Sequence, residues 1–467
     1  MRCLDSQVYI FLRIQNYMTK TINNSPRKMD VYAEDFSAFI HSQPQVDDWL
    51  SSLRKQAFDE FSEIGFPIKR RGNELWKYTD LRPIDRESFT LDMEPSESIS
   101  DEIVRQRAPF ASNWHNVVFV DGKFSANLSS NIDNSQFVFD SLLNASKNSE
   151  EFVRPLLSKI ADFSANGFAA LNTAFFNSGG YIRIPENTKV DSPIHLLHVT
   201  SNGKENRAIY PRILLIAEKN STATVIETHL NLSNSPQLIV PVLEGILERN
   251  SNLSHLRIQL ESEYAFHIAT SRFKQSRDSK LSSVTFSTGP NIGRNDVHVG
   301  LTEPGSECSL SGLYITNHHT HQDNEISTSH LKPHGTSNQF YKGILAGSSR
   351  AVFSGKVLVA PGAMKSEAVQ KDMNLLLSSG AEIDTKPSLE IYADDVKCAH
   401  GATAGHVDKN MLFYLQSRGV DKEVAIKMLI LGFASEILEL FDPLPVKKFL
   451  YRALEEIIPS LESDGIS

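Results

Sequence analysis

The chain has 467 residues, 40% of them hydrophobic, and a net charge of -9. It exceeds the about 250 to 300 residues at which one core stops growing, so more than one structural region is expected. The mild acidity, without a dense Lys/Arg run, argues against a nucleic-acid binder. Three cysteines, Cys3, Cys308 and Cys398, are too few and too scattered for a disulfide framework and point to a reducing cytoplasm.

Near the start, Val8 to Leu12 is apolar but far below the about 18 residues of a membrane helix, and no small-residue cleavage site follows. Neither export nor membrane insertion is expected. Met18 and Met29, each followed by polar sequence, leave the position of the start open. Residues 1–30 are expected to form a disordered extension, followed by an N-terminal helical region over 31–110. There Phe36, Phe39, Ile40, Trp49, Leu50, Leu53, Ala57 and Phe61 recur at helical spacing, with Asp47 or Asp48 as cap and Gly65-Phe66-Pro67 as stop. The aromatic and charged patch Asn73 to Leu81 reads either as cover for the end of a core or as a binding surface.

From Val117 the rhythm changes. Val117 to Phe124 reads as a hairpin with an Asp121-Gly122 turn. After a helical interruption at about 152–177, residues 181–392 are almost unbroken short strands. Polar turns such as Glu-Lys-Asn-Ser, Glu-Arg-Asn-Ser and Glu-Pro-Gly-Ser punctuate them. A sandwich or barrel would end sooner; this length favours a stacked β-helix, whose coils bury their faces on one another. The core is therefore placed at 111–406.

Beyond Gly405 the period becomes helical, defining a C-terminal domain over 407–467. Asp408 is set to cap a helix carrying Met411, Leu412 and Leu415, and Asp421 a second one. The second has one stripe of Val424, Met428, Leu431, Leu438 and Phe441 and another of Ile426, Ile430, Phe433 and Ile437. So wide an apolar arc needs cover on more than one side: the β region, and either a partner protein or a third helix from Val446 to Ile458.

Three constellations compete for chemistry. His318, His319, His321, Glu325, His330 and His334 include a His-x-His-x3-Glu run of the kind found in cupin metal sites, but the surrounding glycines are displaced and no second motif follows. Asp394-Asp395, adjacent on an extended chain, point apart and read as turn acids. Cys398 and His400, two apart, share one face with positions 394 and 396 and place a thiol beside an imidazole.

The stretch Asp384 to Thr403 around that pair resembles the signature of the SufB/SufD family of iron-sulfur cluster assembly proteins, on its SufD side. The likeness extends to Leu412 to Gly419, Phe340 to Leu345, Arg350 to Phe353, Asn374 to Ser378, Trp76 to Thr79, Phe168 to Asn172 and Arg294 to Asp296. Ala363 to Ala368 departs from the usual Ala-Gln-Lys-Thr-Asp-Ala, and Ala399 replaces a common Ser. Lys371 to Asn374 lacks the cysteine expected on the SufB side.

The resemblance implies a mainly β fold: a right-handed parallel β-helix flanked by N-terminal and C-terminal helical regions. It implies a non-enzymatic cytoplasmic subunit that pairs with SufB through the β-helix and binds the SufC ATPase through the C-terminal helices. Met411, Leu415, Val424, Met428, Leu431, Phe433 and Ile437 are the candidates for the SufC contact. His400 and Cys398 are the candidates for a nascent cluster site, or an iron or sulfur site, shared with SufB. No cofactor is expected to bind the isolated chain tightly; a transient iron-sulfur cluster is expected at the subunit interface, with reduced flavin a candidate ligand of the complex. A homodimer is the alternative assembly. Competing readings are a glycan-active β-helix enzyme or a metal-dependent enzyme on the His318–His321 cluster.

Overall fold

A computed structural model describes residues 26–43, 47–69, 71–91, 99–132, 135–202 and 205–461. The expected extension over 1–30 lies outside the described residues up to position 25, and the helix Pro26–Ser42 begins within it. Among the described residues no helix is long and apolar enough to cross a membrane.

The fold is mainly β: a parallel solenoid of about 8 turns between helical ends. Successive turns each add one strand to two facing sheets, so that Lys280–Thr288, Glu307–Thr316, Thr336–Leu345, Glu367–Leu376 and Lys397–His406 lie side by side in one of them. The antiparallel pairings all lie at the N-terminal end, where Lys123–Phe124 and Val138–Ser141 fold onto the first turns. The first of these is the expected hairpin. Asp121 and Gly122 both have positive φ, 50° and 77°, as a tight two-residue turn requires.

The recurrent polar turn of the sequence is one corner of the solenoid. Asn187, Asn220, Asn250, Asp278, Gly305, His334, Lys365 and Asp395 occupy it in successive turns, all with φ between 55° and 79°. Asn, Asp and Gly tolerate this left-handed conformation best. From Asn187 to Lys365 each donates its backbone N–H to a carbonyl of the following turn, as Asn250 does to Arg277 at 2.9 Å. The next residue is a fully buried serine at positions 221, 251, 279, 306 and 366. Each of these hydroxyls donates to the carbonyl three residues earlier, at 2.6–2.9 Å. Asp395 is thus a corner residue, in keeping with its reading as a turn acid.

Side chains alternate in and out of the coil. Leu253, Leu281, Cys308, Leu310, Val297, Val299, Leu301 and Phe353 form the inner core. On the outer face of the other sheet side, Leu256, Ile258, Val284, Phe286, Leu313, Ile315 and Ile344 remain apolar, and the C-terminal helices cover them.

Those helices are Lys409–Ser417, Lys422–Leu438 and Leu444–Ile457. Asp408 caps the first by accepting from the N–H groups of Asn410 (2.8 Å) and Met411 (3.3 Å). Asp421 stands at the cap position of the second, with no side-chain capping bond. The second helix is held to the solenoid by buried Lys342, whose ammonium donates to the Phe433 carbonyl at 2.8 Å and pairs with Glu436 at 3.2 Å. Its other cover is the third helix, through Val446, Leu450 and Leu454.

At the opposite end, Pro26–Ser42 and Asp48–Ile64 pack on Gly167–Phe175, with the Phe36 and Phe58 rings stacked at 4.2 Å. The approach is so close that a Cβ at Gly167 would stand 2.2 Å from the Gly65 carbonyl oxygen. Only glycine fits there.

The corner ladder makes a stability prediction. Asn250→Ala removes the 2.9 Å amide bond to Asn220 and puts a Cβ without a local hydrogen bond in the left-handed region, and should cost about 1–2 kcal/mol. Asn250→Gly should cost less than half as much, measured for both variants by urea denaturation.

Candidate functional site at the open end of the solenoid

The last turn consists of Glu382–Ile391 and Lys397–His406. Each strand pairs on one side only among the described residues, with Arg350–Val359 and Glu367–Leu376 respectively. Their other edges offer unpaired backbone groups, which natural sheets ordinarily cover or blunt. Preceding turns are largely buried, whereas in Lys397–His406 every residue but Cys398 is exposed.

Cys398 and His400 sit on this strand, in register with Ala368 and Gln370 of the turn beneath. The strand starts at Lys397, after the Asp395 corner, so the expected shared face does not run back to 394; Val396 still packs in the same cluster as Cys398, and the strand face proper runs from 398 toward 406. Cys398 is half-buried, packed with Val357, Val359, Ala363, Ala368 and Leu389 at the mouth of the coil. That partial burial raises its thiol above the ordinary value, with an opposing contribution from a backbone hydrogen bond at Ala368. The thiol is therefore mostly protonated near neutral pH in the isolated chain, and an incoming cation would favour the thiolate. Below His400, Gln370 donates to Gln339 at 3.0 Å, giving the imidazole a fixed polar floor.

The histidine-rich run does not converge. His318 and His334 stand at corners with φ of 55° and 62°. His319 is exposed. On His321–His330, strand alternation sends His321 and Glu325 to the outer face and His330 to the inner one, where His330 bonds the Ser337 hydroxyl at 2.8 Å. The cupin-like spacing is thus dispersed over both faces of one strand and two corners.

His321 and Glu325 belong instead to a buried contact that joins two motifs distant in sequence. The Arg294 guanidinium lies 4.1 Å over the Trp76 ring, forms an ion pair with Asp323, and approaches Glu325 at 3.7 Å. Thr79 donates to Asp323 at 2.5 Å and meets His321 at 3.0 Å. Burial pushes the Glu325 carboxyl up to about 7, against the opposing pull of Arg294. Trp76 to Thr79 is accordingly a structural strap across the outside of the solenoid.

On the C-terminal helices, Met411, Val424 and Met428 are each at least half exposed, and Leu415, Leu431 and Phe433 partly so. Ile437 departs from the sequence expectation: it is fully buried against the third helix and the solenoid, so it is not available to a partner. Phe413, 72% exposed, and Tyr414, 56% exposed, are further large apolar side chains left open on Lys409–Ser417 and were not among the expected contacts. Sequence reasoning also missed a buried group inside the first turns, His198, Glu227 and His229, which two neighbouring strands bring together from positions about one coil apart.

The profile described as "SUF system FeS cluster assembly, SufBD core domain" matches residues 198–433, and that of the "SufBD protein N-terminal region" matches 27–196. The chain belongs to the SufBD family of iron-sulfur cluster assembly proteins. It is 32% identical over 404 residues to an iron-sulfur cluster assembly SufBD family protein of Synechocystis sp., covering 84% of this chain and 88% of that one. It is 30% identical over 396 residues to the iron-sulfur cluster assembly protein SufD of Escherichia coli, covering 83% and 88%. The SufD protein of Bacillus subtilis is 25% identical over 443 residues, covering 92% and 98%. Membership in the SufBD family agrees with the family likeness carried by Asp384 to Thr403, Trp76 to Thr79 and Arg294 to Asp296.

The raised Cys398 thiol gives a direct check. Alkylation of the native chain by iodoacetamide, followed by peptide mapping, should label Cys398 more slowly than a free cysteine at pH 7, with the rate rising about tenfold per pH unit up to pH 8. Cys308, fully buried and with its thiol pushed up by burial, should label only after unfolding.

Proposed function

We propose that this SufBD-family chain is a non-catalytic, cytoplasmic subunit of an iron-sulfur cluster assembly scaffold, pairing with a SufB-type protein across the open last turn and binding a SufC-type ATPase through its C-terminal helices. The observation that carries this reading is the coincidence of two things at one end of the solenoid: unpaired strand edges, and the Cys398–His400 pair. Strand addition satisfies such edges with main-chain hydrogen bonds. It would place a second protein's side chains opposite Cys398 and His400.

Two ligands are fewer than an iron-sulfur cluster takes, since each cluster is commonly held by four. A thiolate and an imidazole suit iron, so this chain would contribute half of a shared site for a cluster that is cargo, built and passed on. His400, exposed on the strand, is the principal candidate ligand; Cys398 needs deprotonation to join it.

The ATPase contact is assigned to the exposed part of the C-terminal apolar surface: Met411, Val424 and Met428, with Leu415, Leu431 and Phe433 at its border. ATP-driven movement of two such ATPase subunits would open or close the shared site, a two-state device of hinge or rigid-body type. The open edge also suits a second copy of this chain, which is the competing assembly. An enzyme on the His318–His321 cluster has no comparable support, because those side chains diverge.

Affinity purification of the tagged chain from its native host should return SufB-type and SufC-type proteins in stoichiometric amounts; recovery of a homodimer alone would overturn the assignment. Met428→Asp should lose the ATPase and keep the SufB-type partner. In a strain lacking the native copy, His400→Ala should still assemble but fail to restore iron-sulfur enzyme activity, and full restoration would remove His400 from the site.

A further inference from the structure

The interior of the solenoid is apolar along one side and polar along the other, and the polar side is most densely ionisable in its first turns. Strand Ile194–Thr200 pairs with Thr222–Asn231, which pairs with Asn252–Leu260. Their inward columns place His198 beside His229, and Glu227 beside Arg257. Donor atoms of His198, Glu227 and His229 all lie within 4.8 Å of one another, and all three residues are buried.

Most of this group is accounted for by hydrogen bonds. His229 Nε2 meets Glu227 at 2.7 Å, and His255 Nε2 meets the other carboxylate oxygen at 3.1 Å while its Nδ1 meets Ser283 at 3.0 Å. Arg257 turns its guanidinium to His267 (2.7 Å) and Gln259 (3.3 Å), coming no nearer to Glu227 than 4.0 Å. His198 is the exception. It is 6% exposed, and neither ring nitrogen has a hydrogen-bond partner. A buried polar group left unsatisfied is uncommon and calls for an explanation, such as an unplaced water or ion.

We propose that the first turns of the solenoid hold one divalent transition-metal ion of the borderline class, such as Zn2+ or Fe2+, between the imidazoles of His198 and His229 and the carboxylate of Glu227. Two imidazoles and one carboxylate form a donor set that such ions accept, leaving a position for water. The surroundings supply the outer support that metal ligands require: His255, itself fixed by Ser283, orients the Glu227 carboxylate. Phe119 stacks on His198 at 4.9 Å, and the His267 ring meets His229 edge-on at 4.8 Å.

One rearrangement is required. The His198 and His229 rings are stacked at 4.8 Å with an interplanar angle of 11°, and a metal must lie in the plane of each imidazole that binds it. His198 has no hydrogen bond to break, so its ring is the one that turns. His229 Nε2 and its Glu227 oxygen then separate to admit the ion. The site would join two adjacent turns from within, and it is independent of the open end and of any partner.

The test uses the full chain refolded in the presence of Co2+ as probe and freed of loose metal by gel filtration, with cobalt content and cobalt X-ray absorption as readouts. The expected result is one Co2+ per chain with a nitrogen and oxygen first shell that includes imidazole. The ion should be retained in a Cys398→Ala/His400→Ala double variant, and its affinity should fall about tenfold or more in His198→Ala. Substoichiometric cobalt, equal retention in folded His198→Ala, or sulfur in the first shell would overturn the assignment. Should His198→Ala not fold, the content and shell of the unaltered chain and of the double variant decide the matter alone. Failure here leaves the assembly role untouched, because the double variant separates the two sites.

Discussion

The structure depends on coils that stack in register, and the register is held at a corner. One left-handed residue per turn, from Asn187 to Asp395, reverses the chain, and its N–H, up to Lys365, reaches the next turn. Adding a turn satisfies the backbone of the previous one. The same rule leaves the last turn unsatisfied, because a linear stack of coils has two ends and each requires a cap.

The two ends are treated differently. At the first, antiparallel strands Lys123–Phe124 and Val138–Ser141 fold onto the stack, and the N-terminal helices pack against Gly167–Phe175. The Arg212–Glu244 pair, fully buried, ties the intervening segment down: Glu244 accepts from the N–H groups of Ser158, Ile160 and Ala161. Removing one partner from such a pair strands the other charge, at about 3–5 kcal/mol. At the last turn nothing comparable is found among the described residues. The C-terminal helices fold back along the outer face of the sheet carrying Leu256, Phe286 and Leu313. They leave the edges of Glu382–Ile391 and Lys397–His406 open.

Much of this was legible in local sequence, since local rules govern it. Alternation, Asn-Ser turns, the Asp121-Gly122 hairpin and the Asp408 cap all express near-neighbour physics. What local reasoning missed depends on contacts made once per turn. His198 and His229 are 31 positions apart, and Glu227 and Arg257 are 30 apart, yet each pair is adjacent across a ladder. Only the coil period, applied to inward positions, would have revealed them. Conversely, His318 to His334 looked like a cluster because it is dense in sequence, and alternation with two corners disperses it. Ile437 was misassigned because Lys422–Leu438 is apolar nearly all round. The helix divides along its length: Val424 and Met428 near its start are exposed, whereas Ala434, Ile437 and Leu438 near its end lie under Leu444–Ile457.

The central claim is that the open last turn is a strand-pairing interface. Hydrogen–deuterium exchange of the isolated chain, compared with the chain bound to a SufB-type partner, tests it most directly. The account predicts fast exchange along the free edges of Glu382–Ile391 and Lys397–His406 in isolation and strong protection of the same amides in the complex. Protection confined to the N-terminal helices or the C-terminal apolar surface, with the last turn unchanged, would contradict it.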